Sequence, residues 1–259
     1  LVSSGDLAGL SEAVIEMDLH PSDVADLLEE LDQEDRVTIV RALPRELASE
    51  ALSEMEEGDE RGEILASLDP RTGAQLLHEL ADDDAADLIA ELEPEDANRI
   101  LANLPVEEAV DLRGLLQYGE ETAGGIMTTE VVAVLASLTA QEAIVDIRRQ
   151  AQEMDDFYTV FVIDDRHHLL GEVPLAEVIV AEPDQTVAEL VEEVQVRVLP
   201  DTDQEEVGRL MGRYNVVSAP VVNELGQLLG RITFDDIIDV IEAEQTEDIL
   251  RLAGMSEEE

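Results

Sequence analysis

The sequence predicts a multidomain α and α/β chain: a superhelical array of short helices, then two copies of a mixed α/β unit. Two patterns predict it. Residues 20–116 repeat with a period of about twelve, and residues 131–243 carry one order of strands and helices twice. A third observation bounds the function. Sixty-four acidic residues stand against fifteen basic ones, none of them lysine, for a formal net charge of −49.

The repeat units run from HPSDVADLLEEL at residue 20 to PVEEAVDLRGLL at residue 105, the fourth with one extra residue. Their last apolar positions are Leu31, Leu43, Met55, Leu68, Leu80, Leu92, Leu104 and Leu116. Four residues before each stand Leu27, Ile39, Ala51, Ile64, Leu76, Leu88, Ile100 and Leu112, so each pair is expected on one helical face. Pro, Asp or Glu opens most units, which suits a helix N-terminus. A helix of about two turns cannot stand alone, and stacking such units buries a continuous seam. Arrays of this kind are scaffolds or binding surfaces far more often than enzymes.

The polar break QYGEE (117–121) ends the array. Val131–Leu135 reads as a strand, and Thr139 with Glu142 gives a capping-box start to a helix reaching about Arg149. The strands TVFVID (159–164) and LLGEV (169–173) follow, then a helix from about Leu175. The order recurs as VRVL (196–199), a helix opened by Thr202 with Glu205, APVV (219–222), LLGRI (228–232), and a helix from Asp235. Gly171 matches Gly230 and Val162 matches Val221 at a constant offset, with about five extra residues before the second strand of the first copy.

Composition narrows the chemistry. An apolar fraction of 45% supports real cores, built from aliphatic residues because the chain has three Tyr, three Phe and no Trp. Without cysteine there are no disulfides, thiolate zinc sites or Cys nucleophile, which agrees with a reducing cytoplasm. Acidity with no basic cluster argues against a nucleic-acid partner. No apolar run approaches the roughly 18–20 residues of a spanning helix, and no signal peptide is visible. A start at Leu1 rather than Met reads as a piece of something longer. No phosphate loop, nucleophile elbow or paired-carboxylate hydrolase arrangement occurs. His167 and His168 fall in an expected β-turn and His20 and His78 in repeat units, so all four read as structural or surface residues.

A tandem β-α-β-β-α unit preceded by GGIMTTE resembles a CBS-domain pair, a regulatory module that usually dimerises and can bind adenine nucleotides. Its closing Gly-x-x-Thr-x-x-Asp is present as Gly230, Thr233 and Asp236; the first copy departs from it, with Pro174 and Glu177 in the Thr/Ser and Asp places. The whole combination resembles the cytosolic part of the MgtE-type magnesium channels, most strongly in AGGIMT (123–128), TDQEEV (202–207) and DDIIDVIEAEQTEDI (235–249). The resemblance implies a right-handed superhelical N domain over 1–118, CBS domains over 122–182 and 183–243, and a linker (plug) helix over 244–259 leading to a membrane pore domain that this chain lacks. It also implies a homodimer through the CBS domains, at the cytoplasmic face of the membrane.

Mg²⁺ prefers octahedral oxygen coordination and keeps several waters, so one to three protein oxygens suffice per site. Asp83 and Asp87 lie four apart on one repeat helix, where like charges cost a few tenths of a kcal/mol unless a cation bridges them. A solvated acidic face is the other reading; Asp84 suits a helix start. The resemblance places Asp83, Asp87, Asp236 and the Gly125 carbonyl at the array–CBS metal site. It places Asp203 near the linker, Asp239 near the dimer or nucleotide cleft, and Glu205 with partners at Gly212 and Asn215. Asn215 stands where an acid is expected. Glu247 and Asp248 resemble linker acids that bridge by Mg²⁺, against a merely acidic helix. Thr233, Asp236 and Asp239 form the candidate nucleotide set, with ATP as a second ligand; Val216, where nucleotide binders carry an aromatic, weakens that case. The competing local readings for Glu205 and Asp236 are capping boxes with Thr202 and Thr233.

These readings converge on a non-enzymatic Mg²⁺-sensing region that gates a magnesium transporter by closing acidic interfaces. The alternatives are a nucleotide-sensing CBS module whose acidity reflects a salty cytoplasm, and an acidic scaffold.

Overall fold

Each acidic repeat folds into a helix of two to three turns, and in the computed structural model these helices form one of two units divided between Leu116 and Gln117. The structure describes residues 7–17, 19–55, 58–151, 154 and 157–241; the expected linker helix, with Glu247 and Asp248, lies outside them.

The first unit holds α1 (Leu7–Glu16), α2 (Pro21–Glu29), α3 (Gln33–Ala42), α4 (Arg45–Ser53), α5 (Asp59–Ser67), α6 (Pro70–Leu77), α7 (Asp82–Ala90), α8 (Pro94–Leu101) and α9 (Val106–Leu115). Proline occupies the first turn of α2, α6 and α8, where its missing N–H costs nothing. Asp32 and Asp69 cap α3 and α6 by accepting from the amides of Asp35 and Thr72, both at 3.1 Å. Each helix packs on the one two places along, α1 on α3 through to α7 on α9, as a solenoid requires.

The inner apolar positions behave as expected: Ile39, Ala51, Ile64, Leu76, Leu88, Ile100 and Leu112 are buried. Leu27 is only half-buried, and its neighbour Leu28 takes the core place. The last apolar positions Leu31, Leu43, Met55, Leu68, Leu92 and Leu104 are buried with them. The Leu31, Leu68, Leu80 and Leu92 amides donate to carbonyls three residues back, at 3.0–3.2 Å, so these four leucines tighten the turn that ends their helices, whereas Leu43 and Leu116 keep the four-residue bond to Ile39 and Leu112. Leu116, at the array's end, is exposed. Helix α1 precedes the units that the periodicity marks out.

Two arginines are buried inside the array. Arg36 donates through Nε to the Leu28 carbonyl (2.8 Å) and through Nη2 to that of Glu29 (2.9 Å), and pairs with Glu60 at 2.8 Å. Arg61 donates to the Ser53 and Met55 carbonyls at 3.2 and 3.3 Å and pairs with Glu91. Each guanidinium therefore satisfies the C-terminal carbonyls of one helix while holding a carboxylate farther along the array.

The second unit contains β1 (Ala133–Leu135), α10 (Ala140–Gln150), β2 (Thr159–Ile163), β3 (Leu169–Pro174), α11 (Leu175–Val180), a 3₁₀ turn (Val187–Glu189), α12 (Gln204–Tyr214), β4 (Ser218–Val222), β5 (Leu228–Thr233) and helical residues 234–241. β1 runs parallel to β2, β2 antiparallel to β3, and β4 antiparallel to β5. The matched residues are structural mates: Val162 faces Gly171 and Val221 faces Gly230, and both hairpins shift register one residue later. Thr139 and Glu142 form the expected capping box.

Two expectations fail locally. VRVL makes no strand, only one parallel bridge from Val198 to Val221. Val198 donates to Pro220 O (3.2 Å) and accepts from Val222 N (2.9 Å), but the adjoining rungs would need amide protons from Pro200 and Pro220, which have none. The second-copy helix is capped one residue late: Asp203, not Thr202, is its N-cap, and Thr202 Oγ1 instead accepts from Leu199 N at 3.1 Å.

The entry segments of the two copies are exchanged. Thr122 and Thr128 bridge to Asp203 and Arg231 of the second copy, while Thr186 and Glu192 bridge to Thr139 and Glu172 of the first. Glycine permits the close approach: a Cβ at Gly230 would overlap Thr128 O, and one at Gly171 would overlap Glu192 O. A shared core of Phe161, Ile163, Leu169, Val222 and Leu228 joins the copies. At the first crossing burial, then repulsion from Glu192, pushes the Glu172 carboxyl above its usual range.

A carboxylate raised in this way is tolerated when protonated and costs stability as the pH rises through its folded pKa. Glu172→Gln should therefore raise the metal-free melting temperature by roughly 1–2 °C at neutral pH, the carboxylate being partly screened. The gain should disappear near pH 4. Calorimetry at the two pH values checks it, and an equal gain at both would mean that charge is not the cause.

Candidate metal site

Asp83, Asp203, Glu205 and Asp236 fall at helix starts, where the free amides and the helix dipole tolerate negative charge, and Asp87 and Asp239 lie about a turn further in. Asp203 is committed to its helix: its Oδ1 accepts from Glu205 N at 3.0 Å and Glu206 N at 3.3 Å. Glu205 therefore has no part in a capping box with Thr202, and it is exposed. Gly212 is exposed near the other end of α12, and Asn215 is its C-cap at φ 53° and ψ 43°. Asparagine tolerates this left-handed conformation better than most residues, a local reason for an amide where an acid is expected. At 1.5 Å per residue, Glu205 and Asn215 stand about 15 Å apart along α12.

Thr233 lies between two acids. Its amide and hydroxyl donate to Asp236 Oδ2 at 3.1 and 2.6 Å, and the hydroxyl also reaches Asp235. Burial raises the Asp236 pKa most; Asp235 adds to it, and the Thr233 bonds and Arg231 oppose it. The capping contact expected from sequence is thus formed from the Asp236 side. Asp239 is exposed one turn on.

On α7 the acids Asp82, Asp83 and Asp84 share the first turn, behind an Ala81 N-cap that offers no side-chain acceptor. Asp82 and Asp83 are buried, Asp84 is exposed and Asp87 half-buried. Sequence reasoning missed Asp111 on the facing helix α9, whose carboxyl is pushed up by burial first, then by Asp82 and Glu107. The stacking of each helix on its second neighbour was the signal that could have found it.

Gly125 sits in a turn with no room for a side chain, since a Cβ would overlap the Gly119 carbonyl oxygen. Its amide donates to Thr122 O at 2.8 Å. A groove of about 440 Å³ along β1, lined by Leu135, Arg149, Gln150, Asp165 and His167, contains none of the proposed ligands.

No group of three or more His, Cys, Asp or Glu among the described residues is arranged to hold a metal. The donors are carboxylate and carbonyl oxygens, scattered singly and in pairs. That suits Mg²⁺, which needs few protein oxygens, and does not suit a closed zinc or calcium cage.

The MgtE intracellular N domain model matches residues 19–121, and the CBS domain model matches residues 170–243. The crystal structure of the cytosolic domain of the Mg²⁺ channel MgtE in complex with ATP superposes with a TM-score of 0.84 at 37% identity, covering 92% of this chain and 96% of that one. The chain belongs to the MgtE family. The soluble part of a magnesium transporter superposes with a TM-score of 0.79 at 32% identity, covering 94% of each chain. Magnesium transporter MgtE of Thermus thermophilus is 38% identical over 256 residues, 98% of this chain and 56% of that protein. The chain thus spans about half the length of the curated MgtE relatives it matches. No helix among the described residues is long and apolar enough to cross a membrane.

The Asp203 geometry separates a cap from a ligand. Asp203→Ala should cost about 1 kcal/mol in metal-free buffer, a fall of about 2–4 °C in melting temperature. Asp203→Asn, an equally good cap, should leave the metal-free value within a degree of the parent. Thermal melts in EDTA check this, and equal losses in both variants would mean the carboxylate acts by charge rather than as a cap.

Proposed function

We propose that this chain is the Mg²⁺-sensing regulatory region of a magnesium transporter, gating it by Mg²⁺-dependent closure of acidic interfaces. The supporting observation is the placement of paired carboxylates at helix starts in both units of a chain carrying −49 charges. The family supplies the transporter context. On this reading the chain is not an enzyme and acts at the cytoplasmic face of the membrane, through a linker that meets the pore domain. Its units divide as residues 1–118, 122–182, 183–243 and 244–259.

At low Mg²⁺ the carboxylates of Asp83, Asp87 and Asp236 repel, and the array is held away. At high Mg²⁺ they share ions with the Gly125 carbonyl, and the units close. Two unit charges 4 Å apart interact by about 1 kcal/mol in water and about 4 kcal/mol at an effective dielectric of 20. A few such pairs reach the roughly 5.5 kcal/mol that moves a two-state equilibrium from 1:99 to 99:1. Asp203, Glu247 and Asp248 belong to the linker side of the same device.

The spacing along α12 supports a dimer. Glu205 cannot share one ion with Gly212 or Asn215 of the same helix, so that set needs α12 of a second chain running the opposite way. ATP is a second ligand on this reading, held through Thr233, Asp236 and Asp239. A family neighbour is described in complex with ATP, and Thr233 already orients the Asp236 carboxylate.

Small-angle scattering tests the gate. The radius of gyration should fall between EDTA and millimolar Mg²⁺, and Asp83→Asn with Asp87→Asn should move the midpoint about tenfold higher, equal to 1.4 kcal/mol. A profile indifferent to Mg²⁺ in low salt would sink the proposal in favour of acidity as salt adaptation.

A further inference from the structure

The exchange of entry segments decides where the array can pull. The chain leaves the first unit at Leu116 and docks on the second copy before it builds the first. The turn at 121–124 is fixed by main-chain bonds: Ala123 N to Thr202 O at 2.7 Å, Gly124 N to Pro200 O at 2.9 Å and Gln204 N to Glu121 O at 3.1 Å. A second clamp follows. Thr128 and Arg231 exchange both backbone bonds at 2.9 Å, and Arg231 Nε donates to Glu130 O at 2.9 Å. The two clamps sit just before α12 and just before residues 234–241, the two helix starts that carry Asp203, Glu205, Asp235 and Asp236.

We propose that residues 119–130 form a coupling strap that ties the array mechanically to the second copy, with Gly230 and Arg231 as its positioning residues. Resting on the gating reading above, the proposal adds which copy receives the array's motion and through which residues. None of these contacts involves a proposed metal ligand's side chain. The crossing at Glu172 and Glu192 is the near-symmetric mate of the second clamp, built on Gly171 in place of Gly230, but it joins the two copies only to each other. That mate supplies an internal control at least as crowded: a Cβ at Gly171 would meet Val191 Cγ1 as well as Glu192 O.

The parent chain has no cysteine, so Glu95→Cys in the array and Glu224→Cys in the second copy, both exposed positions, give a clean label pair. Gly230→Ala puts a methyl group against Thr128 O, and Gly171→Ala puts one against Glu192 O. Arg231→Met is the milder variant should Gly230→Ala fail to fold. The label distance is followed against Mg²⁺, and amide hydrogen exchange at Ala123 and Gly124 is measured without metal. Gly230→Ala and Arg231→Met should shift the Mg²⁺ midpoint at least fivefold and speed exchange at Ala123 and Gly124 at least tenfold. Gly171→Ala should keep both within twofold. Equal behaviour of the Gly230 and Gly171 variants overturns the strap, as does undisturbed exchange at Ala123 and Gly124. A parent chain whose label distance ignores Mg²⁺ sinks the gating reading instead, and the exchange rates at Ala123 and Gly124 alone then support or overturn the strap.

Discussion

Scarce positive charge governs how this chain folds. With fifteen arginines among sixty-four acids, a compact state repels itself, and cations cannot simply neutralise the surface. The array places its two buried guanidiniums where one group serves several acceptors. Arg36 and Arg61 each satisfy helix-end carbonyls and a carboxylate together, which the planar five-donor guanidinium can do and a lysine ammonium does less well. Breaking such a pair leaves a buried charge behind, so these contacts fix the helix stacking more than they add to stability. Several helices, α3, α7, α8, α9 and α12 among them, also place two or three acids in their first turns, facing free amides. The same placement leaves carboxylates beside one another, as at Asp235 with Asp236 and Asp82 with Asp111.

Much of the fold was legible because it follows short-range rules. The twelve-residue period marks eight of the array's helices, and the Thr139–Glu142 box marks where α10 begins. The Gly171 and Gly230 match reports a shared hairpin register, since both face a valine at the same rung. What escaped is set at longer range. A strand at 196–199 looks sound until Pro200 and Pro220 are seen on adjoining rungs of one bridge. The cap at Asp203 displaces Thr202 because Thr202 is occupied by Leu199. The exchanged segments leave no periodic trace at all.

The candidate ligands were legible by residue type and less so by environment. Asp83 and Asp87 share a face as expected, yet Asp83 is buried and Asp87 half-buried, a difference that comes from α7 packing and not from spacing. Asn215 looked like a weakened ligand; its left-handed backbone gives the amide a conformational role as well. Glycine reports the reverse case. At Gly125, Gly171 and Gly230 the missing side chain makes room for a neighbouring carbonyl, a requirement that only the folded partner segment reveals.

The exchanged entry segments also set an order of events during synthesis. Every contact that stacks the helical array lies within a few dozen residues, so the array can close as it emerges from the ribosome. The strap cannot. Thr128 must wait for Arg231, more than a hundred residues later, before its backbone finds a partner. Until the second hairpin is made, the first copy has its own hairpin and the segment around Glu192, but its apolar residues Phe161 and Ile163 lack Val222 and Leu228. The two copies therefore mature together as one late, slow step behind a finished array, and a nascent chain stalled between them is the form most exposed to aggregation.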